Sequence, residues 1–273
     1  MQLAILAAGL GSRFGGPKQF FPVGPDDQCL FHYSIYHFVQ TFPDSSLILI
    51  TREELQAEAK KSVQSVPMTY KIVLQATPNG KPRGTADALL TALKTMESDE
   101  PMIIINADDY YGNETFEAAL KVAESLTTAA AIPYSVNNTL SPFGGVSRAI
   151  CAIDNSFLQS ITETHGIKEI SNQIFSPAVL GPINPETPVS MNCFLIHPSV
   201  MPVLEHFVSQ HNSQTEITIP DFIQCGIDRK NWKVPTVTSS AEWFGMTFPE
   251  DIKSIRERLA TLHNVGILPN KLW

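Results

Sequence analysis

The pattern of apolar residues in the first half of the chain alternates between short unbroken runs and longer segments with helical spacing. The unbroken runs predict buried strands, and the longer segments predict helices between them. Strands that are apolar on both faces are typical of a parallel sheet covered by helices on both sides. The predicted strands are residues 3–7, 46–50, 70–74 and 102–105, and the predicted helices are residues 29–39, 53–63, 85–96 and 114–126.

The second half of the chain has shorter apolar runs, more loops and fewer helical segments. We expect one of its helices to begin with Ser199 as the N-cap and another to carry proline in its first turn. No Gly/Ser-rich linker, repeat or low-complexity tract separates the halves, so we expect one α/β domain over residues 1–273, with halves at 1–135 and 136–273. The predicted strands are residues 129–132, 146–153, 157–162, 189–196 and 232–237, and the predicted helices are 199–208, 217–225 and 249–262.

Composition and charge narrow the class of protein. The chain has 273 residues, of which 43% are hydrophobic and 17% charged, as in an ordinary globular protein. A net charge of −8 argues against binding to nucleic acid or to an anionic membrane. Four scattered cysteines, without CxxC or zinc spacing, favour free thiols in a reducing compartment. With no signal peptide and no membrane-length apolar run, we expect a cytoplasmic protein.

A glycine-rich segment, AAGLGSRFGGPK at residues 7–18, follows the first predicted strand. Glycines let the backbone turn sharply, and their N–H groups can form a concave nest for phosphate oxygens. Arg13 and Lys18 add the two side chains that hold phosphate best. The segment has neither the GxGxxG spacing nor a P-loop GK[ST], and many such turns are only tight connections. The added charges favour a site for a polyphosphate.

Two carboxylates, Asp108 and Asp109, come directly after the strand predicted at residues 102–105. Because the carboxyl ends of parallel strands share one edge of a sheet, we expect them near the glycine-rich segment. Magnesium is usually held by one or two carboxylates together with substrate phosphates. The alternative is an Asx turn or a cap of the next helix. The shared edge favours a nucleotide bound with Mg²⁺.

These motifs resemble those of the sugar-1-phosphate nucleotidylyltransferases, which join an NTP to a sugar 1-phosphate and release pyrophosphate. Residues 7–18 resemble the signature loop of that family, Gln75 with GTADA at 84–88 its base-recognition segment, and NADDYYG at 106–112 its metal-aspartate loop. Further segments follow in the family's order: FGGV at 143–146, ITE at 161–163, VSMN at 189–192 and EWFGMTFPED at 242–251. The last segment, GILPNKLW at 266–273, resembles the end of a bacterial glucose-1-phosphate uridylyltransferase-like branch.

The resemblance implies a Rossmann-like, mostly parallel sheet with the architecture of nucleotide-diphospho-sugar (GT-A-like) transferases. It implies that residues 1–135 bind the nucleotide and residues 136–273 the sugar. The residues implied to contact the nucleotide are Ala8, Gly9, Gly11, Ser12, Gln75, Gly84 and Thr85. Those implied to act in catalysis are Arg13, Lys18 and Asp108. Those implied to hold the metal are Asp108, Asp109 and Glu242, and those implied to bind the sugar are Gly145, Glu163 and Asn192.

The sequence departs from the family pattern at two positions. Where many members have a lysine that holds the sugar phosphate, this chain has Thr164, and the candidates to replace it are Lys168 and Arg148. Where many members have a second metal aspartate, this chain has Gly245. Glu242 matches the position of a ligand in related cytidylyltransferases, and the alternative for it is a surface carboxylate.

The expected reaction is the transfer of a nucleotidyl group from an NTP to a sugar 1-phosphate, with UTP or dTTP favoured as the NTP. Two alternatives stay open: a cytidylyltransferase acting on phosphocholine or a polyol phosphate, and an inactive regulatory homologue that binds nucleotide sugars. A dinucleotide-binding oxidoreductase is disfavoured because the third glycine is misplaced and Thr51-Arg52, without an acid, follows the second strand. His32, His37 and His197 lie in apolar segments, so we expect packing rather than acid–base roles. The sequence is also compatible with a homo-oligomer.

Overall fold

The computed structural model describes residues 1–212 and 214–273. Its strands and helices are numbered in chain order. The strands are β1 (Gln2–Leu6), β2 (Ser46–Thr51), β3 (Thr69–Leu74), β4 (Met102–Asn106), β5 (Asp109–Tyr111), β6 (Ala129–Ala131), β7 (Tyr134–Ser135), β8 (Val146–Asp154), β9 (Phe157–Ile170), β10 (Gln173–Phe175), β11 (Pro188–Ser190), β12 (Phe194–Ile196), β13 (Val234–Pro235) and β14 (Trp243–Gly245). The helices are α1 (Leu30–Thr41), α2 (Gln56–Ser62), α3 (Thr85–Leu93), α4 (Asn113–Ala123), α5 (Met201–Ser209), α6 (Ile219–Lys230) and α7 (Asp251–Asn264).

The main sheet has the strand order β3-β2-β1-β4-β12-β6. Strands β1 to β4 pair in parallel, and β12 runs antiparallel to both β4 and β6. Residues of one face, such as Leu3 and Leu47, pack against α1, α2 and α4. Residues of the other face, such as Ala4 and Ile48, pack against α3, α5 and α6. The predicted α/β fold, with a mostly parallel sheet covered on both faces, is confirmed.

A second, antiparallel sheet has the order β10-β9-β8-β11-β7, with β13 beside β9. It is built from the second half of the chain except for β7, and the same half also contributes β12 to the main sheet. A two-stranded ribbon, β5 with β14, joins the segment after β4 to the segment before α7. The ribbon therefore brings residues more than a hundred positions apart to the edge of the main sheet.

The structure differs from the predicted elements where chain geometry overrides the apolar pattern. The strand expected at 189–196 is divided into β11 and β12, because Asn192 adopts a positive φ of 57°. The strand expected at 232–237 is only two residues long, because the chain then leaves β9 and Thr236 forms an isolated bridge with Ala131 of β6. Ser199 is not an N-cap: it lies in a short 3-10 turn, and the side chain of His197 accepts its N–H at 3.1 Å.

The structure also shows where the sulfur and imidazole groups lie. Cys29, Cys151 and Cys193 are buried free thiols. Burial lowers the pKa of both His32 and His37 to about 4. His32 accepts a hydrogen bond from the Cys29 N–H, and His37 contacts the hydroxyl of Tyr110 at 2.8 Å. These histidines are packed, as expected. In residues 1–212 and 214–273 no helix is long and apolar enough to cross a bilayer.

The buried histidines predict a loss of stability at moderately acidic pH. Their pKa values are depressed on folding, so the unfolded chain binds protons first as the pH falls from about 6.5. We expect the free energy of unfolding to fall between pH 6.5 and 4, by up to ~1.4 kcal/mol per pH unit for each histidine. The free energy of unfolding should be measured by urea titration at several pH values for the wild type and for His37→Gln. Its slope against pH should be smaller in the variant. His206→Gln, at an exposed position, is the control; equal slopes in all three proteins would contradict the assignment.

Candidate active site

The glycine-rich segment forms a closed loop after β1. The N–H groups of Phe14, Gly15 and Gly16 all donate to the carbonyl of Gly11, at 3.0 to 3.2 Å. Gly11 has a positive φ of 64°, and a Cβ there would lie 1.9 Å from the carbonyl oxygen of Gly16. Only glycine fits this position. The later glycines thus close the loop, and the segment that faces the neighbouring cavity is Ala8 to Arg13.

Two side chains hold the start of this loop from behind. The Nη1 of Arg52 donates to the carbonyls of Ala8 at 2.8 Å and of Gly9 at 2.6 Å. The Nε2 of Gln19 donates to the carbonyls of Ala7 at 2.9 Å and of Gly9 at 3.0 Å. Because C=O and N–H point in opposite directions across a trans peptide, these bonds turn the following N–H groups away from Arg52 and Gln19. Neither residue was predicted, although Arg52 follows a strand that ends at the same sheet edge.

The loop borders a cavity of about 440 Å³ at the carboxyl ends of the parallel strands. Every residue predicted for nucleotide binding or catalysis lines it: Ala8, Gly9, Gly11, Ser12, Arg13, Lys18, Gln75, Gly84, Thr85 and Asp108. Several lining residues were not predicted, among them Lys81, Arg83, Asn106 and Glu216. The structure therefore brings residues from four separate loops to one cavity.

One end of the cavity is formed by Gln75 and the turn before α3. Gln75 is buried, and its Nε2 donates to the carbonyl of Gly84 at 2.8 Å and to Asp87 at 3.1 Å. Gly84 has a φ of 109°, and a Cβ there would lie 2.3 Å from the carbonyl oxygen of Ile217. The side-chain amide of Gln75 is thus fixed, with its oxygen left as an acceptor.

The opposite end carries the paired charges of Lys18 and Asp108. The two side chains form an ion pair, and each keeps about one fifth of its surface exposed, 19% and 22%. Lys18 also donates to the carbonyl of Met246. The N–H of Met246 donates in turn to the Asp108 carbonyl at 2.8 Å. The segment after β14 therefore positions both charges.

Asp109 does not face the cavity, in contrast to its neighbour. It is buried, and its Oδ2 accepts hydrogen bonds from Asn106 at 2.8 Å and from the Tyr111 hydroxyl at 3.1 Å. Burial, reinforced by the charge of Asp108, raises the pKa of Asp109 to about 7. The structure thus places this predicted metal ligand behind the cavity wall, where it orients Asn106.

Glu242, also predicted as a metal ligand, lies away from both aspartates. In the β5–β14 ribbon Gly245 pairs with Asp109, whereas the Glu242 carbonyl accepts from Gly112. Three residues of strand separate the two positions by about 10 Å. The Glu242 carboxylate forms a partly exposed ion pair with Arg258 at 3.8 Å. Its position on the ribbon fits the alternative that Glu242 is a surface carboxylate and not a metal ligand.

The ribbon also explains why the second family aspartate is absent. A Cβ on Gly245 would lie 2.1 Å from Oδ1 of Asp109, closer than any real contact. Any side chain at position 245 would have to displace the buried carboxylate of Asp109. The glycine at 245 is therefore coupled to the buried acid at 109.

The Asp108 carboxylate and the side-chain oxygen of Asn106 both line the cavity and offer oxygen donors for a cation, and the Glu216 carboxylate also lines it. In the described residues, 1–212 and 214–273, no cluster of three or more His, Cys, Asp or Glu side chains could hold a metal ion. One carboxylate and one amide oxygen suit Mg²⁺, which takes oxygen ligands and completes its shell with water and substrate phosphates. The residues present thus fit Mg²⁺ held jointly with a nucleotide.

Of the predicted sugar-binding residues, only Asn192 is linked to the cavity wall within the described chain. Its Nδ2 donates to Oδ1 of Asn106 at 3.1 Å. Gly145 packs on Gly166, whose Cα would lie 3.1 Å from an added Cβ. Glu163 lies on β9 in the second sheet, where burial raises its pKa. None of the three lines the 440 Å³ cavity itself.

Known protein structures share this fold. Two solved structures are similar over nearly the whole chain. For the inositol-1-phosphate CTP transferase from T. maritima the TM-score is 0.74, with 14% identity and 98% of each chain covered. For a putative glucose-1-phosphate thymidylyltransferase from Bacillus anthracis it is 0.73, with 17% identity over 100% of this chain and 98% of the other. Identities this low show a shared fold.

The sequence itself gives the family. A search of curated proteins found no significant match. Residues 3–213, however, match the MobA-like NTP transferase domain. This match covers the glycine-rich loop, the Gln75 turn and the Asp108 segment. The chain therefore belongs to the MobA-like NTP transferase domain family, and it is a nucleotidyltransferase.

Proposed function

We propose that this nucleotidyltransferase joins an NTP to a sugar 1-phosphate and releases pyrophosphate. The favoured NTP is UTP or dTTP. The observation that carries the proposal is the cavity bordered by a fixed amide acceptor, Gln75, after β3 and by Lys18 and Asp108 near the end of β4, with β2 and β1 between these two strands. Such a cavity suits a base beside Gln75 and a polyphosphate beside Lys18. In this proposal residues 1–135 bind the NTP and residues 136–273 bind the acceptor.

The chemistry needs no nucleophile from the protein. An oxygen of the acceptor phosphate is already anionic and attacks the α-phosphorus in line, while the bond to pyrophosphate breaks. The barrier arises from bringing two anions together and from charge that develops on phosphate oxygens. Positioned cations and N–H groups lower it, and alignment alone contributes roughly 7–11 kcal/mol in favourable systems. When bound, Mg²⁺ supplies further neutralisation of phosphate charge, and Asp108 and Asn106 would hold it.

The loop at residues 8–13 provides donors that are oriented before the nucleotide arrives. Arg52 and Gln19 fix three carbonyls on the far side of the loop. Fixed dipoles cost no reorganisation when charge develops near them. In this proposal Arg52 is a positioning residue, and the N–H groups that it orients contact the phosphates.

Lys18 is held ready beside this loop by Asp108 and the Met246 carbonyl. Arg13 is exposed, with its guanidinium 6.0 Å from the ring centre of Phe248. We assign both cations to the β- and γ-phosphates, where they stabilise the departing pyrophosphate. A compact ammonium and a planar guanidinium are the groups that bind phosphate most strongly.

A second candidate is cytidylyl transfer to a polyol phosphate or phosphocholine. It is favoured by the similarity in fold to an inositol-1-phosphate CTP transferase. Pyrophosphate release should be assayed for UTP, dTTP and CTP, each with glucose 1-phosphate, inositol 1-phosphate and phosphocholine. Turnover only with CTP and a non-sugar acceptor would replace the first proposal. Nucleotide binding without turnover in any combination would favour the regulatory alternative.

Removing the charge of Asp108 tests the proposed metal site. We expect Asp108→Asn to lower kcat for pyrophosphate release by about 100-fold or more, because the carboxylate proposed to hold the Mg²⁺ that neutralises phosphate charge is lost. The melting temperature should change little, since Asp108 is partly exposed. Asp154→Asn, at an exposed hairpin position, is the matched control. Full activity in Asp108→Asn would refute the assignment.

Removing Arg52 tests the orientation of the loop. Arg52→Ala leaves two loop carbonyls without this donor, so we expect the KM for NTP to rise about tenfold, or ~1.4 kcal/mol. The KM for the acceptor should stay the same. Arg256→Ala removes an exposed arginine that also donates to a carbonyl, that of Pro22 at 3.1 Å, outside the cavity. Equal kinetics in the two variants would mean that Arg52 has no special role.

Removing Lys18 tests its assignment to the leaving group. We expect Lys18→Ala to lower kcat/KM for NTP by about 100-fold, as for the loss of a transition-state donor. The effect should be on kcat rather than on KM, because the charge of the leaving group develops during the reaction. Lys60→Ala, on the exposed side of α2, is the control. An unchanged kcat/KM would make Lys18 a structural residue.

A further inference from the structure

Arg148, on β8, is a buried cation that the proposed reaction has not yet used. Only 9% of its surface is exposed. Its Nη atoms donate to the carbonyls of Thr139 and Ser147, and the guanidinium lies 5.1 Å from the ring centre of Trp243. In the described residues its Nε has no hydrogen-bond partner, and no carboxylate forms an ion pair with it.

The charge state of this side chain makes the missing partner significant. Burial lowers the pKa of Arg148 to about 10; the nearby charges of Asp109 and Glu163 oppose this shift, and the charge of Arg13 adds to it. The guanidinium therefore stays positive at neutral pH. Because the guanidinium donates only to neutral carbonyls and forms no direct ion pair in the described residues, an anionic group from outside the chain would complete this environment.

Arg148 borders a second cavity of about 480 Å³, which is also lined by Phe143 and Thr247, in the half of the chain proposed to bind the acceptor. Arg148 lies directly opposite Thr164 in the β8–β9 ladder, next to Glu163. Arg13 packs over Phe248, and Phe248 packs in turn against Gly144 just before β8. Two guanidinium groups, one from each half of the chain, thus approach the same region between the nucleotide loop and the second sheet.

We propose that Arg148 binds the phosphate of the acceptor substrate, on the side opposite Arg13. This inference rests on the proposed function in taking the acceptor to be a phosphorylated molecule. A phosphate dianion accepts several charge-assisted hydrogen bonds, and a guanidinium presents them in a planar fork. Lys168, the other cation considered for this role, is exposed and pairs with Phe175 on the β9–β10 hairpin. Arg148 supplies the positive charge that position 164 lacks.

Trp243 offers a local probe for this site, because it contacts the Arg148 guanidinium. The chain has three tryptophans, so Trp232→Phe and Trp273→Phe leave Trp243 as the single emitter. Orthophosphate should be titrated into this protein and the Trp243 emission recorded. We expect a saturable change, and Arg148→Gln should weaken the apparent phosphate affinity at least tenfold. In the transfer assay Arg148→Gln should raise the KM for the acceptor by a similar factor and leave the KM for NTP unchanged.

A rescue variant separates phosphate binding from packing. Arg148→Gln combined with Thr164→Lys returns a positive charge across the ladder without restoring the contact with Trp243. We expect it to recover phosphate affinity to within about threefold of the parent. Trp243→Phe in the otherwise wild-type protein should keep the acceptor KM, since it removes the indole and leaves the charge.

Several results would overturn the inference. These are the absence of any phosphate-dependent emission change, equal phosphate affinity in Arg148→Gln, and a folded double variant that fails to recover. A wild-type acceptor KM in Arg148→Gln would also refute it while leaving the proposed function intact. Conversely, phosphate binding that depends on Arg148 in a protein without transferase turnover would refute the proposed function alone.

Discussion

The parallel pairing of β1 between β2 and β4 is the constraint on which the candidate site depends. It sets the strands of the parallel group to end at one level, and the ladder continues one residue beyond the strands. The Ala7 N–H donates to Ile50, Gln75 to Thr51 and Ala107 to Leu6, at 2.7 to 3.1 Å. The glycine loop, Arg52, Gln75 and Asp108 all follow these last ladder bonds. Their relative positions are therefore set by backbone pairing in the core rather than by the loops themselves.

The β5–β14 ribbon adds the contribution of the C-terminal part of the chain. It carries Met246 to the Asp108 carbonyl and to Lys18, and α7 packs against it. The part of the cavity wall formed by Lys18 and Asp108 is thus supported by a segment far away in sequence. Damage to the packing of α7 would be transmitted to the charges of the site through this ribbon.

The sequence predicted the parallel core well, because unbroken apolar runs that alternate with helices are compatible with few other folds in a chain of this length. The resemblance of three segments to family motifs also predicted ten of the residues that line the cavity, whereas others, such as Lys81 and Glu216, were missed. The sequence-based prediction was wrong about Ser199 as a cap. It did not foresee the inward turn of Asp109, the distance of Glu242 or the bonds of Arg52. These depend on the register of β5 with β14 and on contacts between separate loops, which local patterns do not encode. The roles of the lining residues stay predictions.

The contact between Gly245 and Asp109 has a consequence for how such a site changes over evolutionary time. An aspartate at 245 has no room while a carboxylate occupies position 109 behind it. The two positions are therefore epistatic: a substitution at 245 that succeeds in a relative with a smaller residue at 109 would fail in this chain. In this arrangement a second acidic ligand at 245 requires both the Asp109 carboxylate and the Trp243 ring to move, so the residues already present restrict which metal geometries a lineage can reach.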